Sequence, residues 1–350
     1  MEVRMESDVP GGQIRWTQDG SLPDDRSAVL AGAPGVLTFS RSVVLRAAVW
    51  NDSGRVSAVE TRSYLVLPDI QRQSGAGFPE TWGIREGAVV RADYAMDPKV
   101  VLHPDYRERI VPALRSLPVV SLVADLSDLF DPKRGIYSNP LESGELWERP
   151  VSFEYLPTDG SAGVRVDCGI WIQGGWNRRP EESPKHSFRV VFRKRYGAAR
   201  LGYPVFGAAA GEEFETLILR AGCNNTWLHW SGAERRRGDY IRDQWMRDTH
   251  RTMGHPAAAG RFVHLYLNGL YWGLYNLTER PAAAFAAAHL GGRADRYDAR
   301  NGGNLLSGDD VAWQQLFALA NAGVTNSATY AAIGELLALD RKSTRLNSSH

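Results

Sequence analysis

The sequence predicts a multi-domain, β-rich fold in which a small β-sandwich precedes a larger α+β domain. Three observations carry that prediction. Short alternating strands separated by tight turns fill residues 1–67. From 151 to 280 the element order is strand, strand, strand, helix, strand, strand, connector. The chain also holds 11 Trp and 35 Gly in 350 residues, which suits a turn-rich β protein better than a helical bundle.

In the first unit, Gln13-Ile14-Arg15-Trp16-Thr17 alternates polar and apolar and runs into the turn dipeptide Asp19-Gly20. Ser42 to Trp50 is an apolar, β-branched run closed by Asn51-Asp52-Ser53-Gly54, and Val56 to Val66 follows as another strand. Residues 68–115 carry Pro68, Pro79, Pro98, Pro104 and Pro112, so they read as an irregular connector with strand-like pieces. Leu117 to Val123 is a continuous apolar run, the pattern of a buried strand, and a short helix is expected around Leu126–Phe130.

The larger unit spans 116–340. Strands are expected at Val151–Tyr155, Val164–Ile172, Phe188–Phe192 and Thr216–Arg220. Ser231-Gly232-Ala233-Glu234 has capping-box spacing, and Ile241, Trp245, Thr249 and Met253 recur every four residues. A helix of about 20 residues is therefore expected, stopping at Gly254 and Pro256. Asn268-Gly269 between two β-rich runs, Phe262–Leu267 and Tyr271–Leu277, is the strongest hairpin signal in the chain. Ala-rich helices follow at 282–290, 312–321 and 328–339.

Composition narrows the function classes. A formal charge of +1 gives no global field for nucleic acid, and no apolar run approaches the ~20 residues of a membrane span. Two cysteines, Cys168 and Cys223, exclude a disulfide framework, while one bridge or two buried thiols both fit. No HExxH, GxSxG or GxxxxGK[ST] pattern occurs, and no metal site is assigned.

Ile14 to Pro23, with Val44-Leu45-Arg46-Ala47 and Tyr64, resembles the chitobiase/β-hexosaminidase C-terminal type module, although Trp16 stands where Tyr is usual. That resemblance implies an immunoglobulin-like sandwich over 1–67, and a candidate glycan contact. Gly174-Gly175-Trp176-Asn177-Arg178-Arg179, Ser183 to Arg189, Leu201 to Gly207, Tyr240 to Asp243, and Val263 to Gly269 continuing through Tyr271–Tyr275 to Glu279-Arg280 resemble the CotH kinase family (spore coat protein H-like), in that family's order. This second resemblance covers about 115–300. It implies an atypical kinase-like domain, with an N-lobe at about 147–280 and the start of a C-lobe at 281–340. Binding of ATP and Mg²⁺, and phosphorylation of a protein substrate at a bacterial cell or spore surface, follow from the same resemblance.

Within that frame the candidate cofactor-binding residues are Lys185, Arg178, Arg189 and Glu279. Lys185 would hold phosphates as a point charge, and Arg178 and Arg189 would grip them bidentately. A solvated loop lysine and a basic strand edge are the plainer readings of the same residues. Glu279 falls where a kinase hinge would sit, or is a strand-end glutamate paired with Arg280. His186 stands where the family commonly has a second lysine. Glu234 is spent on the cap, leaving Asp243 as the carboxylate for a helix ion pair. Arg235-Arg236-Arg237 reads as a solvated helix face, and Trp227, His229 and Trp230 as a packing cluster.

Metal-binding carboxylates come in the family from a Trp-Asp-x-Asp/Glu motif downstream of the hinge. Asp295, Asp298, Asp309, Asp310 and Asp340 lack that context, so the catalytic aspartates are expected beyond the chain end and no catalytic residue is assigned. Arg341 to His350 resembles a translated adapter-like tail, a natural polar terminus being the alternative. The chain therefore reads as a fragment, incomplete in its C-lobe and inactive by itself. The competing function is a non-catalytic surface, spore-coat or adhesion protein that uses the CotH scaffold for binding.

Overall fold

The computed structural model describes residues 1–32 and 34–337. The tail read at 341–350 lies outside them. The chain is β-rich, as its sequence predicts.

Two small sheets form the N-terminal unit. Gln13–Thr17 pairs antiparallel with Val43–Asn51, which pairs in turn with Glu60–Tyr64. Glu2–Met5 pairs with Gly35–Thr38. Val3 from one sheet and Val43 and Leu45 from the other form a buried core, with Trp16, Leu37 and Tyr64 packed against it.

Seven strands then close into a barrel. They are β1 (Val119–Val123), β2 (Arg149–Leu156), β3 (Val164–Gln173), β4 (Ser187–Val191), β5 (Thr216–Arg220), β6 (Gly260–Leu267) and β7 (Leu270–Glu279). The order around the barrel is β1-β2-β3-β4-β5-β7-β6 and back to β1. All pairs are antiparallel except β1–β6, which runs parallel from Val119↔His264 to Leu122↔Leu267. The element order over 151–280 is that of a protein-kinase N-lobe, a twisted sheet with one packed helix. The sheet closes instead, because the apolar strand at 119–123 supplies the seventh member and leaves no free edge.

Alternation fills the barrel. Leu122, Phe153, Ile170, Val190, Leu219, Leu265 and Leu277 are fully buried and belong to one core cluster. Their neighbours, such as Arg189 and Arg220, belong to the opposite, outer face of the same strands. Cys168 lies in this core and Cys223 just beyond β5; both are free and buried, so the two-thiol alternative holds.

One side-chain amide completes the closure. Asn268 donates from Nδ2 to Ala124 O at 2.7 Å and accepts from Ala124 N at 2.9 Å, extending the β1–β6 ladder by a step. Asn268 and Gly269 both take positive φ (46° and 82°), the backbone of a tight hairpin turn between β6 and β7. The N-terminal unit locks onto the same seam. Buried Arg46 donates to Gly20 O at 2.8 Å and Val123 O at 3.1 Å, and Ser63 Oγ donates to Ser121 Oγ at 2.8 Å.

An aromatic plug covers the barrel near the start of β7. Trp272 packs with Trp82, Tyr94, Phe130 and Tyr137, and its Nε1 donates to Tyr137 Oη at 2.6 Å. The connector supplies Trp82 and Tyr94, and Gln73 from the same stretch pairs its amide with both backbone groups of Tyr271.

The helix expected from Ser231 onward is split. A single turn at Gly232–Arg235 precedes α1 (Arg242–Thr252), and Ser231 makes no cap hydrogen bond. The break falls where Gly238 packs against the Thr226 backbone and Tyr240 takes φ 61°. Asp239 caps α1 instead, accepting from Arg242 N at 3.2 Å. α1 meets the barrel through polar groups: Asn276 donates to Gln244 Oε1 at 3.1 Å, and Arg247 donates to Asn276 Oδ1. A Cβ on Gly260 would sit 2.1 Å from Gln244 Oε1, so the glycine permits this approach. Beyond β7 come α2 (Ala283–Leu290) and helices at Val311–Asn321 and Ser327–Leu336.

Asn268→Gly keeps the turn backbone and orphans two buried groups of Ala124. Unfolding in urea is expected to show a loss of about 3 kcal/mol; a loss below about 1 kcal/mol would mean the amide is not what closes the barrel.

Candidate functional site

The plug and β7's far end define two poles of the barrel. At the far end β7 finishes in Glu279, the chain turns through Arg280 and Pro281, and α2 runs back across the opening. A cleft of about 1090 Å³ lies there, lined by Arg189, Thr216, Glu279, Arg280, Phe285, Arg293 and neighbours.

Glu279 is buried and committed to packing. Its Oε2 accepts from Ala259 N at 2.8 Å, and His289 Nε2 of α2 lies 3.0 Å from Oε1. The carboxylate thus ties α2 to the strand end and shapes the cleft, and it forms no pair with Arg280.

Arg189 projects from the outer face of β4. Its Nε donates to Gln173 Oε1 at 2.8 Å, and its guanidinium carbon stands 4.8 Å from the Trp171 ring centre. No carboxylate pairs with it among the described residues. Burial, and secondarily the charge of Arg280, push its pKa down to about 10, so it stays cationic at neutral pH. Arg280 has no hydrogen-bond or ion-pair partner among the described residues, and burial lowers its pKa as well. The other cleft arginines are neutralised: Arg200 pairs with Glu213 at 3.0 Å and Glu215 at 2.9 Å, and Arg293 pairs with Asp295. Glu212 lines the cleft as an exposed residue. The first turn of α2, Ala282 to Phe285, lines the cleft and has no side-chain cap.

Lys185 sits elsewhere. Its Nζ donates to Leu274 O at 2.6 Å and to Tyr240 Oη at 3.1 Å, and lies 4.4 Å from the Tyr275 ring centre. Leu274 is five residues up β7 from Glu279, roughly 16 Å at strand rise. Burial alone pushes the amine's pKa down to about 7. Its neighbour His186 is buried against Tyr137 and its pKa falls to about 4, mainly from burial, so it is neutral at pH 7. Arg178, on the turn after β3, donates to Glu142 O at 3.2 Å and does not line the cleft. Of the four candidates, then, Arg189 and Glu279 share the cleft and Lys185 and Arg178 do not.

A further pair was missed. Arg220, the last residue of β5, meets Asp243 of α1 at 2.5 Å, and Arg247 reaches the same carboxylate oxygen at 3.1 Å. A cation on the strand before the helix, paired with an acid on that helix, is the arrangement kinases build from lysine and glutamate. The signal was a basic residue ending the last strand before a helix with an early carboxylate.

Residues 170–343 match the family model described as CotH kinase protein. This segment is similar to CotH-family domains. It takes in the barrel from β3 onward, α1 with its Arg220–Asp243 pair, and the cleft under α2. Among curated proteins, none matches the chain.

A lysine whose folded pKa lies near 7, against an ordinary value near 10.5, leaves the unfolded chain binding more protons between those two values. Stability should therefore rise with pH across that window, by up to about 1.4 kcal/mol per unit. Denaturation of the native chain and Lys185→Met between about pH 7 and pH 9 tests this: the rise should vanish in the variant, and parallel curves would contradict it.

Proposed function

We propose that the CotH-like domain binds ATP in the cleft at the end of β7, with its phosphates held by Arg189 and Arg280. The reaction class is transfer of the terminal phosphoryl group to a hydroxyl of a protein substrate outside the cytoplasm. The observation that carries the reading is the pair of guanidinium groups in a cleft where neighbouring arginines are neutralised. Guanidinium forks match phosphate oxygens bidentately, and the uncapped first turn of α2 adds N–H donors on the same wall. The Arg220–Asp243 pair supports the kinase-like reading by fixing α1 against the strand that borders the cleft at Thr216.

Magnesium, which phosphoryl transfer requires, does not fit the residues at hand: no group of three or more His, Cys, Asp or Glu side chains among the described residues is placed to hold a metal ion. No catalytic step is therefore assigned to any of them. A setting at a cell or spore surface follows from the family alone. No helix among the described residues is long and apolar enough to cross a membrane.

ATP in hundredfold excess over its Kd should stabilise the chain by about 2.7 kcal/mol, read as a rise in Tm. Arg189→Gln/Arg280→Gln should abolish that rise while Lys185→Met retains it. A rise that survives the double arginine change and disappears in Lys185→Met would place the phosphates at the other pole.

A further inference from the structure

The four-residue recurrence in α1 marks an apolar stripe, yet the helix packs on the barrel through Gln244 and Arg247. The stripe faces water: Ile241 is 57 % exposed, Trp245 59 % and Met253 67 %. The loop before the helix adds Trp227 at 63 % and Trp230 at 52 %. Scattered apolar residues on a surface need no explanation, but five large ones within one short segment do.

This platform is held rigidly. Trp227 packs on the Tyr240 ring at 5.0 Å, and the Tyr240 hydroxyl donates to Leu274 O at 2.7 Å, which anchors the loop to β7. Trp230 stacks at 3.8 Å on buried His229. Rings fixed in this way lose little entropy when covered, the property that makes tryptophan a frequent binding anchor.

Charge decides the occupant. Residues 231–242 carry four arginines against two carboxylates. Asp239 pairs with Arg242 at 3.1 Å and Glu234 lies 3.9 Å from Arg237. Arg235 and Arg236 have no carboxylate partner among the described residues. An aromatic platform with two guanidinium groups unpaired by carboxylates at its edge, one of them held by Trp230 O at 3.4 Å, is complementary to acidic side chains interspersed with apolar ones.

We infer that α1 and the loop 226–241 dock an acidic segment of a partner protein through apolar anchors. The residues involved do not line the cleft, so this docking stands or falls apart from nucleotide binding.

Fluorescence anisotropy of a labelled peptide of about 15 residues, built from Glu, Leu and Phe, tests the inference on the full chain. Binding is expected, weakened by ~10-fold or more in Trp227→Ala/Trp245→Ala and in Arg235→Glu/Arg236→Glu, and weakened by added salt. The ATP-induced change in Tm should be unaltered in both variants. Equal binding of a peptide with Lys in place of Glu would overturn the inference, as would binding indifferent to both double variants. Absence of peptide binding together with capture on anionic phospholipid vesicles would assign the face to a membrane surface. A concentration-dependent dimer in light scattering, abolished by Trp227→Ala/Trp245→Ala, would assign it to a second copy.

Discussion

Parallel pairing of β1 with β6 is the contact on which the rest of the molecule depends. It joins strands more than a hundred residues apart in sequence, so no local turn sets its register. The register is held by what converges on the seam: the Asn268 amide on Ala124, Arg46 from the N-terminal unit on Val123, and Ser63 on Ser121. Closure removes both sheet edges and forces inward residues into one apolar core. It also gives the barrel two unlike poles, one filled by the aromatic plug around Trp272 and one left open under α2.

The distribution of charge follows from those poles. Near the plug, burial removes charge: His186 is neutral at pH 7 and the Lys185 amine titrates near neutrality, satisfied by a carbonyl and a phenol. At the open pole, burial of a guanidinium lowers its pKa only to about 10, so Arg189 remains a cation. Arginine is the residue that can be half-buried in a dry cleft and still be charged for an anion. A lysine in the same surroundings would surrender its proton, as burial drives the Lys185 amine toward neutrality, and this is why we propose the open pole for phosphate.

The hairpin at Asn268-Gly269 and the strands were legible in the sequence because each is a local signal, whereas two cysteines left a bridge and two thiols equally open until their placement was known. Arg189 within β4 and Glu279 at the end of β7 are two of the four candidates named from the sequence, and the fold brings both to the cleft. The place of Lys185 away from that cleft was not legible, because its acceptor, Leu274 O, is 89 residues away and belongs to a backbone that carries no side-chain signal. The Arg220–Asp243 pair was half legible: the acid was noted as the helix carboxylate, but its strand partner Arg220 was not. Periodicity located the stripe of α1 but not its direction. The direction is set by Asn276 and Gly260, which accept a polar helix face.

The central claim is that the cleft at the end of β7 receives phosphate on Arg189 and Arg280. A crystal of the chain grown with a non-hydrolysable ATP analogue tests it most directly. Phosphate oxygens are expected within hydrogen-bonding distance of both guanidinium groups, beside the first turn of α2. Phosphates seated at Lys185 and Tyr240, or an analogue bound with both arginines untouched, would contradict it.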